Sequence, residues 1–173
     1  MKAVILAAGR VSRLKRHTDD RPKCLVALAG QPLLFWPLIP LAEAGIDEFA
    51  VVCGYQSEKI KSLADKAPVN FLPIENQRWA ETNMLSSLWS AVDWAGGDEC
   101  VISYADIVYP SRHVKSLLSS PHPVSLTYDV DWERRWRLRS GGDPLLDAET
   151  FREEGGLLKE RRTKPQGMDQ VRG

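Results

Sequence analysis

The chain is poor in cysteine, in uninterrupted apolar stretches and in net charge, and each shortage excludes something. Three cysteines in 173 residues, Cys24, Cys53 and Cys100, are far apart and in or beside apolar runs. That spacing suits buried reduced thiols, not a disulfide framework or a cysteine-based metal site. No apolar run approaches the eighteen or so residues needed to cross a bilayer, and the six apolar residues before Gly9 are too few for a secretory leader. The sequence predicts a soluble, unprocessed, cytoplasmic protein with no membrane partner. The 23 basic and 23 acidic residues cancel, so no global field draws the chain to nucleic acid and any electrostatic function must be local.

What is present is ordinary for a globular domain: 43% apolar and 27% charged residues, enough for one substantial core. Residues 3–8 (AVILAA) form an apolar run that ends in a glycine turn, as a strand buried on both faces of a parallel sheet would. FAVVCGY (49–55) and ECVISYAD (99–106) repeat the form. Between them Ile60, Leu63 and Ala64 keep helical spacing, as do Leu85, Leu88 and Val92, with Thr82 or Asn83 as N-cap and Gly96 as stop. Strands alternating with helices predict a doubly wound α/β layer.

Other segments are less regular. PLLFWPLIPLAEAG (32–45) holds three prolines, which predict a helix that is kinked or begins late, near Pro40. VNFLPIEN (69–76) and PVSLTYDVD (123–131) read as further strands, and beyond Arg134 no periodicity is evident.

One loop concentrates charge: six Lys or Arg lie between Arg10 and Lys23, directly after the first strand. Ligands of open parallel sheets sit beyond the carboxyl ends of the strands, where loop N–H groups and basic side chains can hold phosphate oxygens. Arg13, Lys15 and Lys23 are candidate phosphate ligands, although a basic run alone would more often be a solvated surface. Asp106 ends the run VISYAD, so strand geometry brings its carboxylate to the same edge as Gly9.

From Leu6 to Leu25 the chain reads LAAG-x-x-S-R-L-x-x-x-T-x-x-x-P-K-x-L. This resembles the opening motif of the nucleotidyltransferases that join a nucleoside triphosphate to a phosphorylated acceptor. GQPLL (30–34), AGID (44–47), VVCGY (51–55), NQRWAETNMLSSLWSA (76–91), SYADIVY (103–109) and DPLLDAETF (143–151) are similar, in order, to landmarks of the phosphocholine cytidylyltransferase branch. The resemblance implies a single Rossmann-like α/β/α domain over 1–173 with a mostly parallel sheet. It also implies CTP and phosphocholine as substrates and Mg²⁺ as cofactor.

Residue by residue, it gives Leu6, Ala7, Ala8 and Gly9 to the cytosine and ribose, with Asn83 in a loop facing the base. Arg13 falls to the triphosphate, Lys23 to the α-phosphate as the charge-stabilising catalytic group, and Asp106 to the metal. A quaternary ammonium is held over aromatic faces beside a carboxylate, which points to Asp129, Trp132 and Trp136 on the acceptor side. The opening motif also serves sugar-1-phosphate nucleotidyltransferases, and an inactive nucleotide-binding fragment is a further alternative.

The chain departs from the motif in two places. Val11 stands where the family has a second glycine, and a β-branched residue is strained if that position needs φ > 0; Arg16 replaces a proline. The family's C-terminal portion, with another metal-binding aspartate, finds no counterpart and is expected to be lacking.

Overall fold

The computed structural model describes residues 1–10, 20–140 and 150–162. Val11, Arg13, Lys15 and Arg16 lie outside the described residues. The chain divides into two compact units, Met1–Ser120 and Pro121–Gly173.

The first unit is built on four parallel strands: β1 (Lys2–Ala7), β4 (Glu48–Cys53), β5 (Leu72–Glu75) and β6 (Cys100–Tyr104), in the order β5-β4-β1-β6. The predicted runs at 3–8, 49–55, 69–76 and 99–106 all become strands of this sheet. On one face Ala3, Ile5 and Ala7 pack with Val51 and Cys53 against helices α1 (Phe35–Glu43), α2 (Ser57–Lys61) and α5 (Ser111–Leu118). On the other, Val4, Leu6 and Val52 meet α3 (Met84–Trp89) and α4 (Val92–Ala95). Covering both faces explains why β1 and β4 read as continuous apolar runs and not as alternating ones.

Helix α1 begins at Phe35, earlier than its prolines predict. Pro37 falls in the first turn, where its missing N–H has no intrahelical partner in any case, so only Pro40 removes a ladder bond. That loss of about 3 kcal/mol is outweighed by Leu34, Leu38 and Leu41, all fully buried, at roughly 1.5–3 kcal/mol each.

The predicted helix over 84–95 forms as two pieces, α3 and α4, broken at Ser90–Ala91 and stopped by Gly96 at φ 66°. Lys2 seals the exposed end: its Nζ donates to the Trp94 and Ala95 carbonyls at 3.0 and 3.2 Å and pairs with Asp98 at 2.8 Å. A small hairpin, β2 (Ala27–Leu28) and β3 (Gln31–Pro32), turns through Ala29 and Gly30, both with positive φ.

In the second unit the expected strand at 123–131 does not form. Val124, Leu126 and Val130 alternate as a strand would, yet they are 80%, 69% and 77% exposed. The segment has no ladder partner among the described residues, and alternation without one does not make a strand. Where periodicity gave no prediction, the structure has α6 (Trp132–Ser140) and the hairpin β7 (Thr150–Glu154) with β8 (Leu157–Arg162). The hairpin turns on Gly155 and Gly156 at φ 61° and 80°, the pair of positive angles that a two-residue turn requires. Among the described residues, no helix is long and apolar enough to cross a membrane.

Candidate active site

The chain places β4 and then β5 successively to one side of β1, whereas β6 returns to the other. The reversal opens a crevice at the carboxyl ends of β1 and β6, the position where open α/β sheets bind ligands. A cleft of about 240 Å³ lies there. Its floor is Leu6, Ala7, Ala8 and Gly9, four residues the motif assigns to the nucleotide, and Lys23, Asn83 and Asp106 also line it.

Lys23 and Asp106, 83 positions apart, meet as an ion pair in which each side chain is about a third exposed. Each is delivered by its own element. Lys23 opens a 3₁₀ turn over Lys23–Leu25 whose next residue, Cys24, is buried in the core, so the turn is anchored beneath the lysine. Leu34 N–H donates to the Cys24 carbonyl at 2.8 Å and ties that turn to the start of α1. Asp106 follows β6, where Ala105 N–H donates to the Leu6 carbonyl at 3.2 Å and continues the ladder beyond the strand. Burial pushes the Cys24 thiol up to about 12, so it stays neutral. Lys23 and Asp106 are therefore the charged side chains among the described lining residues.

The opposite wall is neutral. Trp79, Thr82, Asn83, Met84 and Ser87 come from the loop after β5 and from α3. Asn83 is the N-cap of α3, its Oδ1 accepting from Ser86 N–H at 3.1 Å and from Ser86 Oγ at 3.3 Å. The same residue thus meets a structural need and lines the cleft.

Trp79 enters over Gly54, where a Cβ would stand 2.4 Å from the Trp79 Cβ and 2.7 Å from the Ala8 carbonyl oxygen. Only glycine allows that approach. Tyr55 meets the Trp79 ring edge-on with centroids 5.4 Å apart, and the Arg10 guanidinium lies 5.3 Å from the Tyr55 ring centre. Neither Gly54 nor Trp79 was singled out from sequence, although both fall in quoted landmarks, VVCGY and NQRWAETNM. Their pairing is a tertiary fact that spacing does not encode. Tyr104, at the end of β6, lines the cleft on the side of Asp106 and was likewise not foreseen.

Asp129 and Trp132 belong to the second unit. The Trp132 ring is buried at the start of α6, 6% exposed. The Asp129 carboxylate accepts from Asp131 N–H at 3.0 Å and pairs with Arg135 at 3.0 Å. The side chain of Trp136 and the whole of Arg13 lie outside the described residues.

Comparison with known proteins bears on this cleft. Residues 3–158 match the MobA-like NTP transferase domain. The chain is 34% identical over 176 residues to the CTP:phosphoglutamine cytidylyltransferase of Campylobacter jejuni, a span covering 99% of this chain and 69% of that protein. It is 36% identical over 89 residues to the choline-phosphate cytidylyltransferase of Streptococcus pneumoniae, covering 51% of this chain but 38% of the other. The inositol-1-phosphate CTP transferase from T. maritima shares the fold, with a TM-score of 0.75 at 20% identity over 99% of this chain and 66% of that one. Because the domain match runs from β1 into β8 and includes every described residue of the cleft, the chain belongs to the MobA-like NTP transferase family.

Proposed function

We propose that the cleft binds CTP with Mg²⁺ and transfers its cytidylyl group to a small phosphorylated acceptor, phosphocholine or a similar nitrogen-bearing phosphate, releasing pyrophosphate. The observation that carries this reading is the convergence of Lys23 and Asp106 beside Leu6–Gly9 at the point where the sheet reverses. The similar cytidylyltransferases from C. jejuni and S. pneumoniae support CTP as the donor and a phosphorylated, nitrogen-containing acceptor.

A metal fits the residues present in one specific way. No group of three or more His, Cys, Asp or Glu that could hold an ion occurs among the described residues, but Asp106 offers carboxylate oxygens a third exposed in the cleft. Mg²⁺ is commonly held by one or two carboxylates together with substrate phosphates, so Asp106 would hold it only alongside the triphosphate. When bound, the ion supplies positive charge to the phosphate oxygens.

The chain's own residues would act as follows. The turn at Ala8–Gly9 and the wall at Asn83 hold the nucleoside, and Arg13 meets the triphosphate. Lys23 leaves Asp106 for the α-phosphate, where its ammonium stabilises the charge that builds as an acceptor phosphate oxygen attacks in line. The new bond joins that oxygen to the α-phosphorus; the bond to the β-phosphate bridging oxygen breaks, and pyrophosphate departs with its electron pair. Asp129, Trp132 and Trp136 are the proposed acceptor-side residues.

Pyrophosphate release tests this directly. With CTP and Mg²⁺, phosphocholine and phosphoglutamine should support release and glucose 1-phosphate should not. Release with glucose 1-phosphate alone would move the protein to a sugar-phosphate reaction, and CTP binding without release would mark a nucleotide-binding protein.

A further inference from the structure

Asn76, the residue after β5, does not line the cleft, yet it fixes much of the neutral wall. It is buried, and all of its polar groups are engaged. Its N–H donates to the Cys53 carbonyl at 2.9 Å, which ties it to the end of β4, and its own carbonyl accepts from Trp79 N–H at 3.2 Å. Its Oδ1 accepts from Arg78 N–H at 3.0 Å. The two Nδ2 protons go to Thr82 Oγ1 at 2.9 Å and Ser87 Oγ at 3.0 Å.

Thr82 closes the ring by donating to the Arg78 carbonyl at 2.8 Å. One amide thus binds the loop of residues 76–82 to itself and to α3, and both residues that receive its protons line the cleft. A buried amide with this many partners holds one geometry, because leaving any partner unmet costs the desolvation of a buried polar group.

Ser87 carries this order to Asn83, whose carbonyl accepts from Ser87 N–H at 3.1 Å and from Ser87 Oγ at 3.4 Å. Both lone pairs of Asn83 Oδ1 are directed to Ser86, so the group that Asn83 retains for a ligand is the donor Nδ2. Both pyrimidines carry an acceptor at O2, but cytosine has an acceptor at N3 where uracil has N–H. A donor held at fixed height against N3 therefore distinguishes the two, and a donor on a loose loop does not.

We propose that Asn76 is a positioning residue for the nucleoside: it holds Thr82 and Asn83 in the register that favours cytosine over uracil. This rests on the CTP reading above. Asn76 stands on a different element from Lys23 and Asp106, so its effect should fall on the base and not on the phosphates.

The test is titration calorimetry on the full chain with Mg²⁺, using CTP, UTP and inorganic tripolyphosphate against wild type, Asn76→Asp, Thr82→Val and Thr82→Ser. Asn76→Asp keeps the size and the acceptor toward Arg78 but removes both donors. It should weaken CTP binding by roughly tenfold, the scale of a lost buried hydrogen bond, shrink the CTP-over-UTP preference toward unity and leave tripolyphosphate affinity unchanged. Thr82→Val should follow it and Thr82→Ser should not, which keeps the inference testable if Asn76→Asp fails to fold. A folded Asn76→Asp protein with wild-type CTP affinity and preference, or an equal loss for CTP and tripolyphosphate, would overturn the positioning role alone. Wild-type protein that binds no CTP would overturn the CTP reading and this inference with it.

Discussion

The two walls of the cleft are held together by opposite means. On one side Lys23 and Asp106 are joined by a single ion pair, a third exposed, between side chains delivered by separate elements. On the other, a network of neutral hydrogen bonds through Asn76, Thr82, Ser87 and Asn83 is reinforced by Trp79 seated over Gly54. On the proposed reading the charged wall exchanges partners: a phosphate would take the lysine and a cation the aspartate, each replacing what the ion pair supplied. The neutral wall has no such alternative and would keep its shape. Chemistry and selection would thereby fall to different walls, and substitutions on the two should fail in different ways.

The largest effect belongs to the charged wall. Lys23→Ala and Asp106→Ala should each lower pyrophosphate release on the order of 10²-fold or more, one by removing the charge proposed to meet the α-phosphate and the other by removing the proposed metal ligand. The comparison is sharpened by metal binding in the presence of CTP. Asp106→Ala should abolish Mn²⁺ binding measured by paramagnetic relaxation, whereas Lys23→Ala, which leaves the Asp106 carboxylate in place, should retain it.

A substitution at the neutral wall should cost structure before chemistry. Gly54→Ala drives a methyl into the Trp79 Cβ and the Ala8 carbonyl, neither of which is the free end of a flexible side chain. Overpacking of this kind costs about 1–3 kcal/mol, read as a lower urea midpoint, with CTP binding weakened in parallel. Asn83→Ala loses the cap of α3 and should cost about 1 kcal/mol, while Asn83→Asp keeps the cap and most of the stability.

A change remote from both walls should leave the cleft alone. Ala29 sits at φ 49° in the β2–β3 turn before Gly30, so Ala29→Asn should raise stability by up to about 1 kcal/mol with no change in CTP affinity.

The smallest effect is on acid stability. Lys61 and Ser57 hold Glu75 below its ordinary value of 4.5, and Lys2 holds Asp98 below 3.8. Both folded values are depressed, so their contribution is present above those ordinary values and is lost as the pH falls through the lower folded ones. Urea midpoints measured between pH 6 and pH 2, ranges chosen to bracket roughly these carboxylates, should fall only at the acid end. Lys61→Met should flatten part of that fall.

How legible this was in the sequence follows the same division. β1 and β4 were plain because apolar runs buried on both faces need no partner information to be recognised, and Asp106 reached its edge through strand geometry alone. Leu6–Gly9 and Lys23 were located by the opening motif, and Asn83 by both the motif and its capping chemistry. What escaped notice depended on contacts distant in sequence: the niche of Gly54 for Trp79, and the amide of Asn76 reaching Ser87. Of the two outcomes the prolines suggest, a late start does not occur, because of the three only Pro40 removes a helical hydrogen bond. In the second unit the arginine-rich α6 has no apolar stripe, and the alternation at 124–130 suggests a strand, yet the segment has no ladder partner among the described residues.

The most direct test of the account is titration of CTP with Mg²⁺ into wild-type protein and into Lys23→Ala, with UTP and ATP as competitors. The account predicts that wild type binds CTP more tightly than either competitor, and that Lys23→Ala weakens CTP binding while preserving the preference for CTP over UTP, because the base is chosen at the other wall. ATP binding as tight as CTP binding, or a Lys23→Ala protein that loses the preference for CTP over UTP while keeping its affinity, would contradict it.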